Sequence, residues 1–238
     1  MHGKKAPEEI TPNIALLKMT RGILASWLIL GVLLFVEAGR VNWKLGWLFF
    51  VVWGLLKLVY ILILRWSDPA LMVERATRHE NTQLYERKIL PLYFLFSFGT
   101  ILVAGLDGGR FQWSGKIPAA LVVFAYIIYL FGNGLASWAV VSNPFFSSES
   151  RLQTERGQKV SRSGPYRFVR HPAYLASVLF WPVTGLLLES WWAIIPGVMA
   201  AVMMVIRTIY EDRMLRAELT GYAEYTQQVR YRLFPGIW

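Results

Sequence analysis

Two polar stretches carry the residues whose types and spacing suit them to a charged ligand. The first, Gln153 to Tyr174, sets arginines, a lysine, His171 and tyrosines among Gly and Pro inside an otherwise apolar chain. It is too polar to lie in lipid and too rich in turn formers to be a plain connection. Gly164-Pro165-Tyr166 signals a turn, since Gly tolerates positive φ and Pro fixes its own. Arg170-His171-Pro172-Ala173-Tyr174 then reads as a helix start. Pro172 suits the first turn, where its missing N–H costs nothing, and His171 and Tyr174, three apart, lie on one side. Free N–H groups at such a start favour a carboxylate or a ribose hydroxyl. The plain alternative is an interfacial His171 capping its own helix, with Tyr174 and the arginines as headgroup anchors.

The second stretch runs from Arg207 to Trp238. Arg207 and Glu211, four apart, share a helix face. They either pair with each other or, where the last apolar run meets the aqueous phase, handle a ligand bearing both signs of charge. Asp212 adds a second carboxylate. Tyr222 and Tyr225 offer aromatic faces to an adenine or a sulfonium, although packing is the commoner use of such residues. The two stretches are expected to fold over one another at a membrane face and enclose a charged cofactor.

The elements that must position them are membrane helices. Of 238 residues, 55% are apolar, and the mean hydropathy is +0.39, which makes the bilayer the expected solvent. The net charge of +10 is spread between apolar runs, so it reads as topology signal and lipid-headgroup contact rather than nucleic-acid binding. Without cysteine there is no disulfide, thiolate nucleophile or Cys metal site, and no metal is expected. No removable signal peptide is read at the N-terminus.

Residues 1–21 read as a polar lead-in, with Pro7 and Pro12 discouraging a continuous helix. Apolar runs follow at 22–38, 46–64, 89–106 and 117–141, and two shorter ones at 175–188 and 191–206 form a tight helical hairpin that Pro182 and Pro196 can kink. Between them, Asp68-Pro69 marks a turn or helix start and 107–116 a Gly-rich turn. Lys57 lies inside the second run and must face a cavity, a partner or a snorkelling route, a structural role being the commoner. Asn133 between Gly132 and Gly134 suits close helix packing. Lys and Arg counts from the N-terminus through successive loops to the tail are 4, 2, 5, 2, 6, 0 and 5. This alternation places both termini and both polar stretches in the cytoplasm. The expected fold is an all-α integral membrane bundle of about six transmembrane helices, the last two a short hairpin, in a single domain. Residues 1–142 supply N-terminal spans and 143–238 a catalytic region.

Gly164-Pro165-Tyr166 leading to Arg170-His171-Pro172-Ala173-Tyr174, the acidic pair Glu211-Asp212 past the hairpin, and the run Gly221 to Gly236 together resemble the isoprenylcysteine carboxyl methyltransferase and phospholipid methyltransferase superfamily of integral membrane enzymes. The similarity covers the chain from Asn143 onward, and the preceding residues match only as a set of spans. The resemblance implies S-adenosylmethionine in a cytoplasmic pocket. It implies cofactor contacts from Gln153, Gln158, Lys159, Val160, Ser161, Tyr166, His171, Pro172, Ala173, Tyr174 and Glu211, with Arg207 meeting the substrate. Gln158 stands where members often have His, Ala176 where a Gly is common, and Asp212 where a second Glu is found.

The resemblance implies methyl transfer to a lipid-linked or hydrophobic acceptor, the first choice being the carboxylate of a prenylated cysteine. That acceptor is ionised and needs no base. An amine or thiol, as in phospholipid N-methylation or S-methylation, would need Glu211 or His171 as base. Two other classes stay open. Membrane sterol reductases that use NADPH resemble the superfamily in their C-terminal halves, and an idle membrane scaffold would use the same residues structurally.

Overall fold

Thr11 and Pro12 open the first helix. The Thr11 side chain accepts a hydrogen bond from the Ile14 backbone N–H and Pro12 occupies the first turn, where its fixed φ is already helical. The computed structural model describes residues 10–77 and 83–238. Helix α1 (Pro12–Ala38) therefore begins at the proline expected to discourage it and not at Gly22. Residues 1–9, with Pro7, Lys4 and Lys5 of the expected lead-in, lie outside the described residues, as does Arg78 of the next charged loop.

Helix α2 (Lys44–Ser67) ends at Asp68, whose carboxylate accepts from the Leu71 N–H at 2.8 Å and caps α3 (Pro69–Ala76). The Asp68-Pro69 pair is thus a helix start. Helix α4 (Glu86–Ala104) runs on into a π-helical turn, Gly105–Phe111, where a simple Gly-rich turn was expected. Helices α5 (Ala119–Val141), α6 (Pro172–Leu187), α7 (Ile194–Glu218) and α8 (Tyr222–Gln228) complete the order, with no strand among the described residues.

Five of these helices are long and apolar enough to cross a membrane, and α6, with 16 residues, is shorter. At 1.5 Å per residue α6 reaches only about 24 Å. The fold is an all-α membrane bundle. Its outer surface is a belt of exposed apolar side chains, among them Leu28, Val32, Leu55, Leu58 and Phe131, as lipid-facing helices require. Its core joins Leu34, Phe49, Ala104, Ala125, Tyr129 and Leu187.

Helices α6 and α7 form the expected hairpin. A Cβ on Gly197 would lie 2.5 Å from the Trp181 carbonyl oxygen, so only glycine lets the arms close to this distance. Gly132 likewise brings α5 onto the Ala176 carbonyl and Phe180 of α6, the close packing expected of the Gly132-Asn133-Gly134 trio, whereas nothing packs within 4 Å of a Cβ at Gly134. Helix α7 does not stop near Ile206 but continues through Glu218. Its last turns leave the apolar layer and carry Arg207, Glu211 and Asp212.

The ends of the bundle differ. At one end the connections are pinned by buried Asp107, which accepts from the Ser114 N–H at 2.8 Å, from the Ser114 hydroxyl and from the Ser190 hydroxyl at 2.6 Å. At the other end the segment before α4 and the 142–171 loop are tied together: Gln83 N–H donates to the Ser150 carbonyl at 3.2 Å and Arg151 pairs with Glu74 at 2.6 Å. The start of α1, helix α3, the start of α4 and both polar stretches share this second end.

Candidate active site

The loop after α5 is built from short polar turns. Asn143 Oδ1 accepts from the Phe145 N–H at 3.0 Å and from the Ser161 hydroxyl at 2.8 Å, which folds 143–161 back on itself. Gln153 is fully buried behind this loop. Its amide donates to the Phe145 carbonyl and accepts from Arg156, and its N–H donates to Gln158 Oε1. Gly164 then has φ +56°, and a Cβ there would fall 2.1 Å from the Ser142 hydroxyl oxygen. Glycine is needed for both reasons. The turn Gly164–Arg167 inserts Tyr166, whose carbonyl accepts from the Tyr225 hydroxyl at 2.6 Å.

Arg170 and His171 are held by the C-terminal tail. Their N–H groups donate to the carbonyls of Tyr231 and Arg232, both at 3.0 Å. His171 stands at the N-cap of α6 but makes no side-chain capping bond, so the plain self-capping alternative is not what this residue does. Its ring lies parallel to that of Tyr174, with centroids 5.6 Å apart. Nδ1 lies 3.9 Å from Glu211 Oε1, while Nε2 lies 3.5 Å from Asp212 Oδ1 and 3.3 Å from the Tyr222 hydroxyl. The histidine loop and the acidic helix therefore meet at one end of the bundle.

The neighbouring carboxylates have different surroundings, because adjacent residues on a helix point about 100° apart. Asp212 is wholly buried and accepts from Arg170 at 2.8 and 3.3 Å, Arg232 at 2.9 Å and Tyr222 at 3.1 Å, with Arg216 also at 3.3 Å. A buried carboxylate is tolerated only when saturated in this way. Glu211 points into a cleft. Its Oε2 accepts from the hydroxyls of Tyr174 and Ser150, each at 2.5 Å, and Oε1 faces His171. Burial raises the phenol pKa of Tyr166 and Tyr225, and burial followed by the Asp212 charge raises that of Tyr222. All three stay hydrogen-bond donors at neutral pH.

The cleft brings together ten of the eleven residues expected to touch a cofactor: Gln158, Lys159, Val160 and Ser161 from the loop, Tyr166 from the turn, His171, Pro172, Ala173 and Tyr174 from the start of α6, and Glu211 from α7. Gln153 is not on its wall. Tyr222 and Tyr225 of α8 close one side, with Met214, Leu215 and Leu219 of α7. Sequence reading missed Asn143 and Ser150, which also line it. Neither belongs to a charged motif, although Asn143 before a proline, just past a long apolar run, is a turn signal. Aromatic faces, a helix N-terminus and a carboxylate in one cleft suit a ligand with an aromatic base, a carboxylate and a cation. No group of His, Asp or Glu able to hold a metal ion is found among the described residues.

Arg207 stands apart. Its Nε and Nη2 donate to the two oxygens of Glu86 at 2.7 and 3.1 Å, Nη2 also reaches the Ser148 carbonyl at 3.0 Å, and the guanidinium lies 5.0 Å from the Tyr174 ring. Its ion partner is on α4 and is not Glu211. Arg207 lines a second cavity of about 850 Å³ that runs among α1, α2, α5 and α6. The two cavities share Phe146, Ser147, Ala173 and Tyr174. Lys57 lines the second cavity, 5.4 Å from the Trp53 ring, which is one of the placements its position in an apolar run required.

Residues 119–219 match the phospholipid methyltransferase family, which belongs to the integral membrane isoprenylcysteine and phospholipid methyltransferase superfamily. No curated protein matches the chain. The match starts with α5, earlier than the Asn143 boundary read from the motifs, and takes in the loop, the hairpin, Arg207, Glu211 and Asp212. It stops before Tyr222 and Tyr225.

Proposed function

We propose that the protein is a membrane methyltransferase that uses S-adenosylmethionine and acts on a lipid-linked or hydrophobic acceptor, with the carboxylate of a prenylated cysteine as first choice. One observation carries this reading: a polar, aromatic-lined cleft at the end of the bundle shares a wall with a large cavity among the helices. A water-soluble donor and a lipid-borne acceptor can then meet without either crossing the other's solvent.

In the cleft, Tyr222 and Tyr225 present aromatic faces, the start of α6 favours a carboxylate, and Glu211 Oε1 offers a negative charge to a cation. When bound, S-adenosylmethionine supplies a methyl group already activated for in-line displacement. The protein's part is alignment and exclusion of water. Tyr174 stands on the shared wall and is fixed by Glu211 and Arg207, so it sets where the two ligands face one another. Arg207, with its charge matched by Glu86, positions the acceptor more than it neutralises it. A carboxylate acceptor needs no base. The family match favours one second reading, a phospholipid amine, which would need a base, and Glu211 and His171 are the groups nearest the shared wall.

Calorimetric titration of detergent-solubilised protein with S-adenosylhomocysteine and with NADPH tests the cofactor. Binding of the first alone is expected, and binding of NADPH alone would overturn the reading in favour of a reductase. Transfer of labelled methyl into a total lipid extract and a panel of prenylcysteines then identifies the acceptor.

A further inference from the structure

The second cavity has a charge imbalance that the reading above does not use. Lys57, Arg75 and Arg207 line it, and among the described residues no aspartate or glutamate does. Arg207 is matched by Glu86. Glu74, the acid next to Arg75 in sequence, is taken by Arg151 at 2.6 Å and Arg156 at 3.7 Å. Arg75 Nε and Nη1 are buried without a hydrogen-bond partner among the described residues, and the Tyr60 hydroxyl, in the same cavity, makes no hydrogen bond of normal geometry but lies close enough to Arg75 to interact with it. What Arg75 does have is two aromatic rings: Tyr60 at 5.7 Å and Phe146 at 5.1 Å.

Ring faces offset only part of the cost of burying two guanidinium nitrogens without hydrogen-bond partners. An anion in the cavity would satisfy both Arg75 nitrogens and leave the phenol a partner. We infer that Arg75, supported by Lys57, binds the acid group of the acceptor, so that the substrate is an anionic amphiphile whose head is a carboxylate or a phosphate. This rests on the reading that the second cavity receives the acceptor.

The placement is specific. Phe146, against which Arg75 stacks, lines the cofactor cleft as well, so an anion on Arg75 lies beside the shared wall. Lys57 precedes Tyr60 by three residues on α2 and shares its face. It sits deeper in the bundle and extends the positive potential inward. Beyond it, a mostly apolar cavity of about 290 Å³, lined by Leu30, Phe49 and Phe98, shares Lys57, Tyr93 and Asn133 with the second cavity. Acid at Arg75 and hydrocarbon past Lys57 is the order in which an amphiphile would thread.

The test uses full-length protein in phosphatidylcholine nanodiscs and three ligands on one chain: N-acetyl-S-farnesylcysteine, its uncharged methylamide, and farnesyl phosphate. Binding is read from tryptophan fluorescence in the presence of S-adenosylhomocysteine. At least one acid should bind about tenfold or more tightly than the amide, and whichever acid does so identifies the head group. Arg75→Gln should bring that preference to within about twofold, Arg75→Lys should keep part of it, and Lys57→Gln should reduce it less. Should the wild-type protein bind the amide as tightly as both acids, the inference falls, with no need for a folded variant. Should Arg75→Gln keep the full preference while still binding S-adenosylhomocysteine, the assignment to Arg75 falls. Failure of wild-type protein to bind S-adenosylhomocysteine would instead remove the methyltransferase reading beneath it.

Discussion

Arg170 and Asp212, 42 positions apart in the chain, meet at 2.8 Å in the wholly buried centre of the polar end of the bundle. The other guanidinium nitrogen, Nη1, donates to the carbonyls of Val229 and Arg230 at 2.8 and 2.7 Å. One arginine thus holds the histidine loop, α7 and the C-terminal tail together. Asp212 is the buried knot of this end, and Glu211 faces the cleft.

That division makes the two acids separable by mutation. Asp212→Asn removes the charge that three arginines share, and truncating one partner of a buried pair costs about 3–5 kcal/mol. The variant should melt several degrees lower and lose binding of S-adenosylhomocysteine together with its fold. Glu211→Gln keeps the shape and one oxygen to accept from the Tyr174 and Ser150 hydroxyls, so its melting temperature should stay close to wild type while cofactor affinity drops about tenfold or more. Thermal melts and calorimetry on the same preparations check both. Equal effects from the two substitutions would dissolve the distinction.

Arg207, on the wall of the second cavity, and Glu86 join α7 to α4. Because the pair is bidentate and buried, either Arg207→Ala or Glu86→Ala leaves an uncompensated charge, and each should destabilise by about 3–5 kcal/mol. The double substitution should be milder than the two added together, since contacting partners do not contribute independently. A double-mutant cycle from chemical unfolding measures the coupling. Arg207→Gln, which keeps donors to Glu86, should retain cofactor binding and lose acceptor use. Loss of cofactor binding would instead assign Arg207 to the cleft.

Much of this was legible in the chain, and the gaps have physical causes. Pro172, the Gly164-Pro165 turn and the spacing of His171 and Tyr174 announced the start of α6 because turn chemistry and helix starts are local, whereas the set of residues around the cleft came from the family resemblance. Pro12 misled because proline breaks a helix only after its first turn, and the Thr11 cap decides which case applies. That α7 continues past the end of its apolar run at Ile206 was legible from Arg207 and Glu211, four apart on one helix face, and the helix does run to Glu218. Gln153 has a side chain like that of any polar contact residue, and only the fold shows that its amide is consumed by Phe145 and Arg156. The partner of Arg207 could not be read at all, since Glu86 is 121 positions away and no pattern links them.

The cleft is narrow, about 90 Å³, against about 300–1,000 Å³ for pockets that hold drug-sized ligands. A nucleoside has to move part of its wall. The part expected to move is the loop at 143–161, which carries no α-helix, rather than the hairpin held by glycine contacts. Hydrogen exchange of this loop should be fast in free protein and slow by about tenfold or more with saturating S-adenosylhomocysteine, while exchange at the α6–α7 turn stays unchanged. Equal protection everywhere would mean global stabilisation by ligand and not local closure.

Orientation in the membrane is set by charge. The end that carries the cleft also carries Arg151, Arg156, Arg162, Arg167, Arg170 and the tail arginines, whereas the opposite loops hold Arg40, Lys44, Arg110 and Lys116. By the positive-inside rule the cleft is expected to face the cytoplasm, the side from which a water-soluble donor would come. The chain has no cysteine, so a single introduced thiol reports its own side. Glu224→Cys lies on the exposed face of α8 and Lys116→Cys on an exposed opposite loop. On intact cells a membrane-impermeant maleimide should label Lys116→Cys and leave Glu224→Cys unlabelled until the membrane is permeabilised. The reverse pattern would place the cleft away from its donor, and the methyltransferase reading would then lack its soluble substrate.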